Sequence, residues 1–217
     1  MWKPAFTSLE HRRATVFGWH RAFCLELRRW RGSPQQPGLM LALDRGGCCE
    51  GMVHRLPEED HIGHVGRLLR REMGSKEGIR RVRWVTAKTA NGTVQALTFW
   101  VGPRGTGYSG KQPLSQVAHT LARACGHIGS GAAYLFHTVA KLDEFGIRDR
   151  NLWRLQQLVA DEILRLTTPR WDDRKGSGAA LRLLSAMRLL YPRYRSCSGL
   201  ARSSAMCQQQ TYGFANR

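Results

Sequence analysis

Strand-forming and helix-forming stretches do not alternate along this chain, and that order restricts the architectures open to it. Residues 15–25, Thr15 to Leu25, are β-branched and aromatic and read as a strand. Arg31-Gly32-Ser33-Pro34-Gln35-Gln36-Pro37-Gly38 is a loop of restricted geometry. Leu39–Leu43 is a short apolar run, Asp44-Arg45-Gly46-Gly47 reads as a turn, and Cys48–Leu56 continues as a third strand, giving a hairpin. One helix follows. Arg81–Thr86 and Val94–Val101 then form a strand pair around Asn91-Gly92, a strong turn signal. Three helices complete the order, over Leu114–Ala124, Ser130–Phe145 and Asp149–Leu166. This order predicts an α+β domain, a small curled mixed sheet or barrel flanked by helices. It excludes a doubly wound nucleotide fold, and no Gly-x-Gly-x-x-Gly or P-loop accompanies a strand. Gly126-His127-Ile128-Gly129-Ser130-Gly131 is glycine-rich but joins two helices, so it reads as a tight interhelical turn.

The first helix carries the most informative residue. Pro57–Gly74 reads as one unit, with Pro57 and acids at its start, arginines in its last turn and Gly74 as its stop. At about 100° per residue with Ile62 at zero, Leu68 falls near ~240°, Val65 near ~300°, Leu69 near ~340° and Met73 near ~20°. Glu72 falls near ~280°, inside that apolar arc, while Arg67, Arg70 and Arg71 point elsewhere. A carboxylate on a buried stripe loses hydration, so its pKa rises and it becomes a better base near neutrality. The negative end of the helix dipole pushes the same way. The alternative is a structural ion pair with one of the many arginines.

The formal net charge is +18 in 217 residues. Nucleic acid is the obvious partner for such a balance, but the distribution opposes it. Residues 166–217 hold nine Lys or Arg against Asp172 and Asp173, and elsewhere the arginines are scattered without a nucleic-acid motif. Nucleic acid is therefore the minor expectation. No apolar run is long enough for a membrane span, which predicts a cytoplasmic protein. Cys48 and Cys49 are adjacent and no Cys-x-x-Cys occurs, so reduced thiols and no metal site are expected. His61 and His64 lie three apart on the first helix and read as a solvated face. Beyond Thr167, Gly176-Ser177-Gly178 looks like a linker and Ala179–Tyr191 a cationic amphipathic helix. Ser196–Arg217 reads as loose chain.

Several segments together resemble the ChaC-type, glutathione-specific γ-glutamylcyclotransferases. They are Gly18-Trp19-His20-Arg21, Arg31 through Gly38, Leu41 through Gly47, Arg71-Glu72-Met73 and Ala96-Leu97-Thr98-Phe99. Tyr108-Ser109-Gly110, Gly126 through Ser130, Tyr134-Leu135 and Gly146-Ile147-Arg148-Asp149 complete the set in the right order, from Met1 to about Thr168. The resemblance implies a domain over residues 1–168, with 169–217 a basic tail. It implies cleavage of glutathione into 5-oxoproline and cysteinylglycine without metal or organic cofactor, with Glu72 as proton acceptor. Substrate-binding roles are expected for Arg31, as a carboxylate contact, for Gly32 in the turn that holds it, and for Tyr108 and Tyr134 in the pocket.

Three departures qualify the likeness. The family pattern opens with a strand ending in Tyr-Gly-Ser-Leu, and Met1-Trp2 corresponds to what directly follows it. A start set too far downstream and a truncated, weakly active or inactive protein both explain this, and the former is preferred. The tyrosine expected shortly after the glutamate is missing from Gly74–Ile79, and the tail from Pro169 matches nothing in the pattern. The contrasting reading is a basic binding protein for nucleic acid or another acidic surface.

Overall fold

The computed structural model describes residues 8–73, 82–100, 102, 103, 105 and 107–167, with side chains for all of these but 71–73. Two long strands, β1 (Glu10–Leu27) and β2 (Gly38–Arg55), form an antiparallel hairpin that runs through the whole domain. β3 (Val82–Thr89) and β4 (Gly92–Phe99) form the second hairpin, turning at Asn91 as the sequence predicts. β1 joins β3 over Ala14–Val16, giving the order β2-β1-β3-β4. A parallel bridge from Trp100 to Leu43 of β2 then curls the far edge back on the first strand pair. The ladders are antiparallel and this bridge is the parallel contact, so the curled α+β sheet expected from the sequence is present.

Each half of the long hairpin has its own core. Ala14, Val16, Val53, Val85, Ala87 and Ala96 line the inside of the curl. Further along, Phe23–Leu27 and Leu39–Ala42 pack under three helices, α2 (Leu114–Arg123), α3 (Gly131–Glu144) and α4 (Arg150–Thr167). That explains the unbroken apolar run of β2, which is buried on both faces there. Ser130 caps α3 by accepting from the Ala133 N–H at 3.1 Å. Asp149 caps α4 through Asn151 and Leu152 and also receives Arg21 Nη1 at 3.4 Å, tying α4 to β1.

Two local expectations fail. Asp44-Arg45-Gly46-Gly47 does not reverse the chain; β2 continues through it. The ladder jumps from Phe17 with Cys48 to Trp19 with Arg45, leaving out Gly18 on one strand and Gly46 and Gly47 on the other. All three glycines have positive φ (80°, 103° and 69°), so they form a bulge that bends both strands together. The helix α1 spans His61–Met73, starting four residues after Pro57, and its first turn holds no acid. Asp60 sits before it at φ 51°, accepts the His64 N–H through its backbone oxygen, and pairs with Arg67 at 3.0 Å. The expected tail after Thr167, its linker and its helix lie outside the described residues.

Candidate active site

α1 lies on the outer face of the second hairpin because Val65, Leu68 and Leu69 share one helical stripe. Leu68 is fully buried and clusters with Leu56, Leu97 and Phe99, and Val65, Leu69 and Val82 pack against them. Ile62, the reference point of the sequence count, is 88% exposed, so the apolar face is narrower than expected and centred on Leu68 and Val65. Glu72 follows Leu68 by four residues, just over one turn or about 6 Å along the axis. Its backbone is the penultimate position of α1; its side chain lies outside the described residues.

Arg31, Gly32 and Tyr134 come together at the opposite end of β1 and β2. Arg31 is buried, with its guanidinium 5.1 Å from the centre of the Tyr134 ring. Its Nη1 donates to the Ser130 oxygen at 2.9 Å, while its buried Nε has no acceptor among the described residues. Burial lowers its pKa, yet a guanidinium keeps its charge at neutrality. The glycine-rich turn, closed as the two-residue ladder β5 (Cys125–Gly126) with β6 (Gly129–Ser130), wraps this arginine. The Ile128 N–H donates to the Trp30 oxygen, and any Cβ at Gly126 would lie 2.1 Å from that same oxygen. Gly32 closes the neck of the loop, since a Cβ there would meet Gly38 N and Leu27 O at 2.3 Å. Tyr134 stacks edge-on against Phe23 at 5.6 Å.

Tyr108 is bridged to Leu25 of β1, with the Ser109 N–H donating to the Cys24 oxygen. Its hydroxyl donates to Asp44 Oδ2 at 3.0 Å, and Oδ1 of the same carboxylate accepts the Arg45 N–H at 2.8 Å. Burial first, then the bond to Asp44, pushes the Tyr108 hydroxyl up to about 12. It therefore remains protonated, a donor locked in one direction, across the physiological range. The same carboxylate adds to burial in pushing the Cys24 thiol up to about 12, which leaves it inert as a nucleophile. From the sequence Asp44 reads only as a turn residue, and its position inside the Leu41–Gly47 segment is the one available signal of a role in the site.

Among the described residues no three His, Cys, Asp or Glu side chains converge to hold a metal ion. No described helix is long and apolar enough to cross a membrane.

The ChaC-like protein family profile matches residues 1–162. This chain belongs to that family. It is 39% identical over 153 residues to the glutathione-specific gamma-glutamylcyclotransferase of Escherichia coli, a match covering 70% of this chain and 65% of that protein. The chain thus spans slightly less than two thirds of that relative's length. Gamma-glutamylcyclotransferase 2-3 of Arabidopsis thaliana is 24% identical over 169 residues, covering 73% of this chain and 83% of the other. The crystal structure of a yeast gamma-glutamylcyclotransferase specific to glutathione superposes with a TM-score of 0.62 at 16% identity, over 73% of this chain and 90% of the yeast one. A second yeast structure gives 0.61 at 17%, over 74% and 93%. The two yeast structures share the fold of this chain.

Proposed function

We propose that this ChaC-like chain cleaves glutathione to 5-oxoproline and cysteinylglycine, with Glu72 as the proton acceptor. The observation that carries the reading is the 39% identity with the E. coli enzyme together with the position of Glu72, one turn beyond the fully buried Leu68. The substrate's α-amine loses a proton to Glu72 and attacks its own γ-carbonyl carbon. The C–N bond to cysteine breaks as the five-membered lactam closes, and the same carboxyl returns the proton to the departing nitrogen. Holding the γ-glutamyl chain folded converts this into a near-attack arrangement and supplies much of the rate. Protons and electrons balance without cofactor.

In this reading the fixed Tyr108 hydroxyl lines the pocket, its geometry set by Asp44. Arg31, Gly32 and Tyr134 form the wall at the far end, where the Arg31 guanidinium, packed on the Tyr134 ring, supplies the positive charge for a carboxylate. A cytoplasmic setting, where glutathione is abundant and thiols stay reduced, suits both substrate and cysteine content. The test is incubation with glutathione and detection of 5-oxoproline. Release of 5-oxoproline and cysteinylglycine in equal amounts is expected; their absence from the folded protein contradicts the reading.

A further inference from the structure

Asp44 is a buried carboxylate without a counter-ion. It is 7% exposed, and its two oxygens accept from the Tyr108 hydroxyl at 3.0 Å and from the Arg45 N–H at 2.8 Å. Among the described residues no Lys or Arg side chain pairs with it, in a chain of net charge +18. Two other shielded acids do have such a partner: Asp149 meets Arg21 at 3.4 Å and Glu162 meets Arg123 at 2.6 Å. Neutral donors satisfy lone pairs but leave the charge uncompensated, and burial makes that costly. Tyr108 sets what the pair can offer. A phenol has one proton and this one is spent on Asp44, so toward anything else the Tyr108 oxygen is an acceptor. The bond to a carboxylate also polarises the hydroxyl and strengthens that acceptor. The pair therefore suits a cation with N–H groups and repels a carboxylate.

Strand geometry turns this pair to the side of the sheet that carries Glu72. Leu43 and Trp100 are bridge partners and pack on one face with Cys49 and Trp19. Asp44 and Phe99, each one residue away, point to the opposite face. On that face Phe99 and Leu97 cluster with Leu68 of α1, the helix whose next turn holds Glu72. Glutathione has one cationic group, the α-ammonium of its γ-glutamyl end, and that is the group Glu72 must deprotonate. An ammonium has three N–H donors, and proton transfer to Glu72 uses one. A second donor held by the Tyr108 oxygen stays in place after the transfer, which keeps the nitrogen lone pair turned to the γ-carbonyl carbon. We infer that the Tyr108 oxygen accepts a hydrogen bond from the substrate's α-ammonium, with Asp44 as the positioning residue that fixes the hydroxyl and supplies the balancing negative charge. The inference rests on the proposed cleavage of glutathione and adds which substrate group this part of the site selects.

The discriminating ligand is glutaryl-cysteinylglycine, which is glutathione with its α-amine replaced by hydrogen and cannot form the lactam. Affinities for both ligands are measured by titration calorimetry in the Glu72→Gln background, where glutathione persists, with Tyr108→Phe and Asp44→Asn added singly. Release of 5-oxoproline is measured for the same two variants with Glu72 intact. The background is expected to bind glutathione about tenfold or more tighter than the glutaryl ligand, and each variant to bring the two within about threefold by weakening glutathione alone. Asparagine can still accept from the hydroxyl, so a loss there isolates the charge. Equal losses on both ligands, which a merely structural role would cause, overturn the inference, as does an unchanged preference or none to begin with. A preference that depends on both residues, without 5-oxoproline from the protein with Glu72 intact, leaves the ammonium site standing and removes the cleavage reading. Release of 5-oxoproline with unaltered KM and kcat in both variants does the reverse. Should Asp44→Asn fail to fold, Tyr108→Phe carries the comparison under the same outcomes.

Discussion

The hydroxyl of Tyr108 donates to the buried carboxylate of Asp44 across 3.0 Å, joining residues 64 positions apart. Removing the hydroxyl leaves Asp44, 7% exposed, with the Arg45 N–H as its other donor. A hydrogen bond to a charged group contributes about 1.5–3 kcal/mol. Tyr108→Phe is therefore expected to destabilise by about 2 kcal/mol, measured as a shift in urea midpoint. Adding Asp44→Asn should cost less in the Tyr108→Phe background than in wild type, because the bond is already gone. Additive losses would show that the pair is not coupled.

Gly32 allows no substitution. A methyl group there would lie 2.3 Å from two backbone atoms of the opposite strand ends, Gly38 N and Leu27 O, neither of which can give way alone. Gly32→Ala should cost about 3 kcal/mol or more, seen as a fall in melting temperature or loss of soluble protein. Gly92, at φ 115° in the second hairpin with open space around it, should tolerate alanine with a smaller loss, set by backbone strain alone.

His54 supplies a pH dependence. Burial first, then His11, lowers its pKa from the ordinary 6.5 to about 4. The unfolded chain takes up a proton near 6.5 while the folded one resists until about 4, so the unfolded state binds more protons in that window. Stability should therefore fall as pH drops from about 6.5 toward 4 and level off below. The upper size for such a shift is about 3.4 kcal/mol, less for its partial exposure. Denaturant melts of wild type and His54→Gln across this range check it; the variant should show a flatter curve.

Local rules made part of this fold legible. Asn91-Gly92 between β-branched runs marked the second hairpin, and Ser130 marked the start of α3, because turn and cap chemistry act over a few residues. Gly46-Gly47 misled for the same reason. Glycines with positive φ serve a bulge as well as a reversal, and only the pairing of β1 with β2 decides between them. Ile62 fitted the helical period yet faces water, since period marks a stripe and not its edges. Within the site, the joining of Arg31 to Tyr134 follows from neither residue's surroundings in sequence. Asp44 with Tyr108 is likewise a long-range contact.

In the proposed reaction one carboxylate, that of Glu72, accepts the proton that starts lactam formation. Steady-state release of 5-oxoproline from glutathione, measured for wild type and Glu72→Gln at matched folding by circular dichroism, addresses it most directly. Loss of a general base costs about 10²–10⁴-fold, and kcat of Glu72→Gln is expected to fall by that much. Turnover by Glu72→Gln within a few-fold of wild type would contradict it.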